Sequence, residues 1–146
     1  MTLRVIVLDA NILLRAVLGA RVPSLLSAFG HQVTFLTPDV AFDDVREHLS
    51  AVLTKRGQAN ALPAALIKLA ALGRVVQVVD QAEYASMRHA ALARVGQRDP
   101  DDWPIMACAL LLNCPIWTED RDFFGTGVAT WTTTLVEQYF TDPEPE

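Results

Sequence analysis

Apolar positions along the chain follow two periods in turn. Short β-rich runs at Leu3–Leu8 (LRVIVL), Gln32–Leu36, Val75–Val79 and Pro115–Thr118 predict buried strands, and Val128–Trp131 predicts a short edge strand. Between them lie stretches with helical spacing, Asn11–Leu18 before Gly19 and Val22–Phe29 before Gly30. Thr37-Pro38-Asp39 offers a cap residue, a first-turn proline and an acid against the helix dipole, which predicts a helix running toward Arg56 and Gly57. Asn60 is expected to cap another that ends near Gly73. Asp80-x-x-Glu83 is an acidic variant of the capping box, and Tyr84, Met87, Ala91 and Val95 share one face of the helix it opens, which Gly96 stops. Asp99-Pro-Asp-Asp-Trp-Pro opens the next helix. Pro104 has to sit in its first turn, so the expected cap is Asp101 or Asp102. Thr133–Phe140 predicts a last helix. Strands alternating with helices predict an α/β domain with a mostly parallel sheet.

Composition narrows the class. The chain has 146 residues, 51% hydrophobic and 20% charged. A domain of that size buries roughly two-thirds of the surface its unfolded chain exposes. No linker or repeat divides it, so residues 1–141 are expected to form one domain, with 142–146 a flexible acidic, proline-rich tail. Asp9 ends the first apolar run, and none later approaches the length of a membrane span. Asp9 and Arg15 also interrupt any leader-like region, so a cytoplasmic protein with no membrane contact is expected. Cys108 and Cys114 lack the spacing of a zinc ribbon or redox motif and read as small core residues. With a formal charge of −5, the molecule repels nucleic acid unless a local basic patch or bound cations intervene.

The acids supply the candidate chemistry. Asp9 ends the first strand and Asp120 follows the fourth by two residues, while Asp102 stands at the start of the helix leading into that strand. In open parallel sheets the ligand crevice lies beyond the carboxyl ends of the strands, which brings Asp9 and Asp120 to one rim with Asp102 able to join them. Glu47, in mid-helix beside a face carrying Val40, Asp44 and Ala51, is the fourth candidate. Gathered carboxylates repel unless protons or cations compensate, and hard divalent ions such as Mg2+ or Mn2+ suit carboxylate oxygens best. Plainer roles compete for each: Asp101 and Asp102 as helix caps, Asp9 as an Asx turn or cap, Glu47 as a solvated helix acid, and Asp39, Asp43 and Asp44 as acids serving the dipole and solvent. His31, His48 and His89 show no ligand spacing, and no glycine-rich phosphate loop is present.

Four segments together resemble the PIN-domain ribonucleases, particularly the compact single-domain kind that includes VapC-like toxins. They are VIVLDANILLRA around Asp9, FDDVREHLSAVL around Glu47, DPDDWPIMACALLL around Asp102 and CPIWTEDRDFFG around Asp120. The resemblance implies a three-layer α/β/α sandwich, a magnesium- or manganese-dependent phosphodiesterase site, RNA as the usual substrate, a homodimer, and in a toxin–antitoxin pair a small antitoxin partner. Carried over residue by residue, Asp9, Glu47, Asp102 and Asp120 match the acidic quartet. Asp9, Asp102 and Asp120 would then hold the metal. Asp122 matches a frequent fifth acid, and Asn11 and Thr118 polar neighbours that orient ligands or water. Asp99 and Asp101 compete for the role of Asp102. Arg121, between Asp120 and Asp122, is the basic residue closest in sequence to those acids, with Arg15, Arg46, Lys55, Arg56 and Arg98 as further cations.

Three other readings fit parts of the pattern, one of them a response-regulator receiver, which likewise gathers acids at the sheet edge but wants a late lysine. A haloacid-dehalogenase-type phosphotransferase also begins with an Asp after an apolar strand, but it wants a second Asp where Asn11 stands and a late lysine, and none occurs after Lys68. A non-catalytic PIN-like interaction module would keep the fold without needing all four acids.

Overall fold

The computed structural model describes residues 4–142. Leu3 and the tail beyond Asp142 lie outside the described residues. Five strands, β1 (Arg4–Leu8), β2 (Val33–Pro38), β3 (Val76–Val79), β4 (Ile116–Trp117) and β5 (Thr130–Trp131), form one sheet in the order β3-β2-β1-β4-β5. Every pairing is parallel. The chain builds outward from β1 to β3, then crosses back to place β4 on the other side of β1. Right-handed crossovers in opposite directions put the intervening helices on opposite faces. On one face lie α1 (Ala10–Leu18), α2 (Arg21–Phe29), α3 (Asp39–Lys55) and α4 (Leu62–Leu72), packed on one another. On the other are α5 (Gln81–Tyr84), α6 (Arg88–Val95) and α7 (Trp103–Leu112), while α8 (Val136–Thr141) closes the chain against α2 on the first face. The result is the three-layer α/β/α sandwich, with its switch point between the carboxyl ends of β1 and β4.

Register fixes which side chains meet. Ile6 pairs with Phe35 and Leu8 with Trp117, so these four share one face of the sheet. There Phe35 and Trp117 meet Phe140 of α8, which also packs on Phe29 of α2. Helix α7 is apolar on all sides and buries Pro104 through Ala109, as a core helix does. It ends at Asn113 in the left-handed region, φ 50°, whose N–H donates to the Ala109 carbonyl. Both cysteines are free; Cys108 is buried in α7 and Cys114 half-buried after it. No single helix among the described residues is long and apolar enough to cross a membrane.

Several expected boundaries move. Thr37 does not cap α3: β2 runs on through Pro38, and the Thr37 hydroxyl donates 2.8 Å to the Leu8 carbonyl, joining β2 to β1. Asn60 makes no cap bond, because a 3-10 turn over Ala59–Ala61 leads into α4. The last helix begins at Val136 rather than Thr133, since the Thr133 hydroxyl accepts from the Trp117 indole and its N–H donates to Glu119. The single helix expected after Asp80 is interrupted by a 3-10 turn at Ala85–Met87, and Asp80 provides no side-chain cap. Asp39 takes that end of α5 instead, accepting from the Gln81 N–H and, at 2.7 Å, from the Tyr84 hydroxyl. The tightened turn lets buried Tyr84 hold Asp39 while Ala91 and Val95 still reach the core. Tyr84→Phe is therefore expected to cost about 1.5–3 kcal/mol, the worth of a hydrogen bond to a charged group. Urea unfolding would measure it, and a loss near zero would show that packing alone holds α5 to α3.

Candidate metal centre

Strand β1 ends in Asp9, which β4 then grips: the Asp9 N–H donates to the Trp117 carbonyl at 3.0 Å. Its side chain is only 6% exposed and serves as the cap of α1, one oxygen accepting from the Ala10 N–H at 2.8 Å. The other accepts from Asn11 Nδ2 at 2.9 Å and the Thr118 hydroxyl at 2.7 Å. Burial raises the Asp9 carboxyl pKa, the Thr118 and Ala10 bonds oppose the rise, and the charge of Asp120 adds to it.

Thr118 and Asn11 tie the rim together. Buried Thr118 also accepts from the Asp120 N–H at 2.9 Å, and Asn11 Oδ1 accepts from the Glu119 N–H. Asp120 then starts a 3-10 turn over Arg121–Phe123, accepting from the Asp122 N–H. Fully buried Phe123 anchors that turn. Arg121 is exposed beside it.

Asp102 comes to these acids from the other direction. Among Asp99, Asp101 and Asp102, Asp99 provides the cap, accepting from the Asp101 N–H, and Asp101 is exposed. Asp102 occupies the cap position of α7 without any side-chain cap bond. Its Oδ2 is buried with no hydrogen-bond partner, the single such side-chain atom among the described residues. Burial, followed by the charges of Asp9, Asp99, Asp120 and Asp122, pushes its carboxyl up to about 7. Asp102, Asp120 and Asp122 each place a carboxylate oxygen within 4.8 Å of the others. An orphaned buried oxygen inside a set of hard oxygen donors fits a divalent cation, which would satisfy that atom and offset the repulsion.

Glu47 is exposed on α3. One turn earlier, Asp44 was assigned to solvent by its sequence context. Its carboxyl is nonetheless raised, first by partial burial, with Glu47, Asp43 and Asp101 adding repulsion and His48 opposing. Its spacing, three residues before Glu47 on one helix face, was the available signal.

The profile of the PIN domain matches residues 7–141, nearly the whole chain. The chain belongs to the PIN domain family. PIN domains are generally nucleases that use divalent metals, and this one carries the acidic cluster such a centre requires. Its fold is similar to a chain in the VapBC2 complex of Rickettsia felis bound to a promoter DNA fragment. That likeness has 13% identity and a TM-score of 0.67, covering 88% of this PIN domain and 98% of that chain. It is also similar to a chain of FitAcB from Neisseria gonorrhoeae, at 20% identity and a TM-score of 0.61, covering 88% and 98%. A third likeness is to a toxin–antitoxin complex from Klebsiella pneumoniae, at 18% identity and a TM-score of 0.57, covering 87% and 96%. A search of curated proteins finds no match.

Proposed function

We propose that this PIN domain is a divalent-metal-dependent endoribonuclease and the toxin of a toxin–antitoxin pair, acting in the cytoplasm. The observation that carries the reading is the unpartnered Asp102 oxygen among the clustered carboxylates of Asp120 and Asp122. Those three residues, with Asp9 beside them, would hold Mg2+ or Mn2+. A bound ion supplies charge neutralisation for the phosphodiester and a water acidic enough to react at neutral pH. The chain's own residues do the rest. Thr118 and Asn11 fix the Asp9 carboxylate in one orientation, and the turn from Asp120 aims two acids at the same point. Asp44 or Glu47, on the α3 edge, would orient water or hold its proton.

With a net charge of −5, substrate is held through few contacts, and exposed Arg121 is the cation closest in sequence to the acids. Single-stranded or looped RNA, whose backbone and bases are accessible, suits such a site better than a duplex. An antitoxin partner, supported by the toxin–antitoxin complexes among its structural neighbours, and a homodimer complete the proposal.

The test is cleavage of a defined single-stranded RNA with Mn2+ or with EDTA, followed by analysis of the ends. Hydrolysis leaves 5′-phosphate and 3′-hydroxyl groups, whereas cyclic phosphates would mean attack by the ribose hydroxyl and refute the mechanism. In the same assay Glu47→Gln is expected to slow cleavage more than Arg46→Gln on the same helix, and Asp44→Asn is compared beside it. A larger loss for Asp44→Asn would assign the α3 role to Asp44.

A further inference from the structure

The segment that follows the acids is shaped by two glycines in the left-handed region, Gly125 at φ +81° and Gly127 at φ +87°. Few side chains tolerate that backbone, so the path of residues 121–127 is a specific one. Thr126 is buried, and its hydroxyl donates to the Phe123 carbonyl at 2.7 Å. Two guanidinium groups brace the segment from outside. Arg94, in the last turn of α6, donates from Nη1 to the Thr126 carbonyl at 2.7 Å. Arg98, four residues on, donates from Nη1 to the carbonyls of both Asp122, at 3.0 Å, and Phe124. A Cβ at position 127 would stand 2.6 Å from Arg94 Nη1, and one at 125 would stand 3.5 Å from Arg98 Nη2. Gly127 thus leaves room that the Arg94 guanidinium occupies, whereas a Cβ at 125 would be in ordinary contact with Arg98.

All three bonds end on main-chain carbonyls. Neither arginine forms an ion pair with an acid among the described residues, so the carboxylates of Asp120 and Asp122 stay free for a cation. By sequence Arg98 is one of several cations available for substrate or for a structural ion pair; its Nη1 is instead committed to the loop carbonyls. We propose that Arg98, seconded by Arg94, is a positioning residue for the candidate metal centre. It holds residues 121–127 so that Asp120 and Asp122 face Asp102 before any ion binds. The inference rests on the metal-centre reading above and adds what keeps that centre assembled against its own repulsion. Nη1 spends its two hydrogens on two carbonyls at the end of a long, charged stem; glutamine has two N–H donors on a shorter, neutral stem, and alanine has none.

The experiment uses the full chain as wild type, Arg98→Ala and Arg98→Gln, with two readouts. The first is amide hydrogen exchange in EDTA, which sees the loop without any metal. Arg98→Ala is expected to speed exchange across residues 121–127 by about tenfold or more while α3 and α7 keep their protection. The second is Mn2+ affinity by titration, expected to weaken roughly tenfold, as for other residues that orient metal ligands. Arg98→Gln should fall between wild type and alanine in both, and it carries the test if the alanine variant unfolds. Unchanged loop exchange, or a loosened loop with unchanged Mn2+ affinity, overturns the proposal and leaves the metal centre standing. A wild type that binds no Mn2+ overturns the metal reading and this one with it.

Discussion

Asparagine in place of Asp102 is expected to abolish most metal-dependent cleavage while making the metal-free protein more stable. Asp102 has no cap bond to lose, and its Oδ2 is buried without a partner. Activity should fall about 10²–10³-fold, the usual size of losing one preorganised electrostatic contact. The stability gain follows from linkage. Burial and the neighbouring carboxylates push the Asp102 carboxyl up to about 7 in the folded protein, well above the ordinary value it has in the unfolded chain. The unfolded chain therefore releases this proton first as pH rises, and the residue destabilises the fold increasingly between pH 4 and 7, then by a constant amount above. Because the residue is only half-buried, solvent screening reduces the effect to about 1–2 kcal/mol at pH 8. Denaturant unfolding in EDTA at pH 5 and pH 8 checks it. The variant should lead the wild type by more at pH 8 than at pH 5, and a variant less stable at pH 8 would contradict the account.

Asp9→Asn should lose activity on a similar scale, yet with the opposite effect on stability. Here both oxygens are used: one accepts from Ala10, the other from Asn11 and Thr118. Whichever way the new amide turns, its NH2 faces an N–H donor, either the Ala10 backbone or the Asn11 side chain. Leaving a buried group so mismatched costs about 1–3 kcal/mol. Removing a buried charge returns part of this, so a net loss near 1 kcal/mol is expected, read as a lower melting temperature in EDTA. A variant as stable as wild type would mean that the Asp9 bonds do little beyond countering their own desolvation.

The contrast between these two acids marks where reading the sequence stops. Parallel topology follows from alternating strand and helix patterns, and it alone carries Asp9 and Asp120 to the same rim, because side chains after β1 and β4 emerge at the switch point. Local pattern cannot separate Asp99, Asp101 and Asp102, which share a helix start. Only tertiary burial makes one a cap, one a surface residue and one an orphan. Thr37 misleads for the same reason: Thr-Pro-Asp reads as a helix cap until the Leu8 carbonyl claims the hydroxyl. Asp44 and Glu47 lie one turn apart on the same helix, and pattern alone does not rank them. Arg98 was visible as a charge, but its partners are backbone carbonyls 24 and 26 residues away, which no side-chain pattern encodes.

The two thiols turn the same burial into a clock. Inside the fold Cys108 is pushed up to about 12 and Cys114 to about 11, chiefly by loss of solvent. At neutral pH no more than about one Cys114 in ten thousand is then a thiolate, and fewer for Cys108, so alkylating reagents meet an inert protein. Unfolding returns both to ordinary reactivity. Mass gained on incubation with iodoacetamide therefore counts openings of the chain. Variants of Asp9, Asp102 and Arg98 can be ranked together in one tube, by mass alone, with no added chromophore.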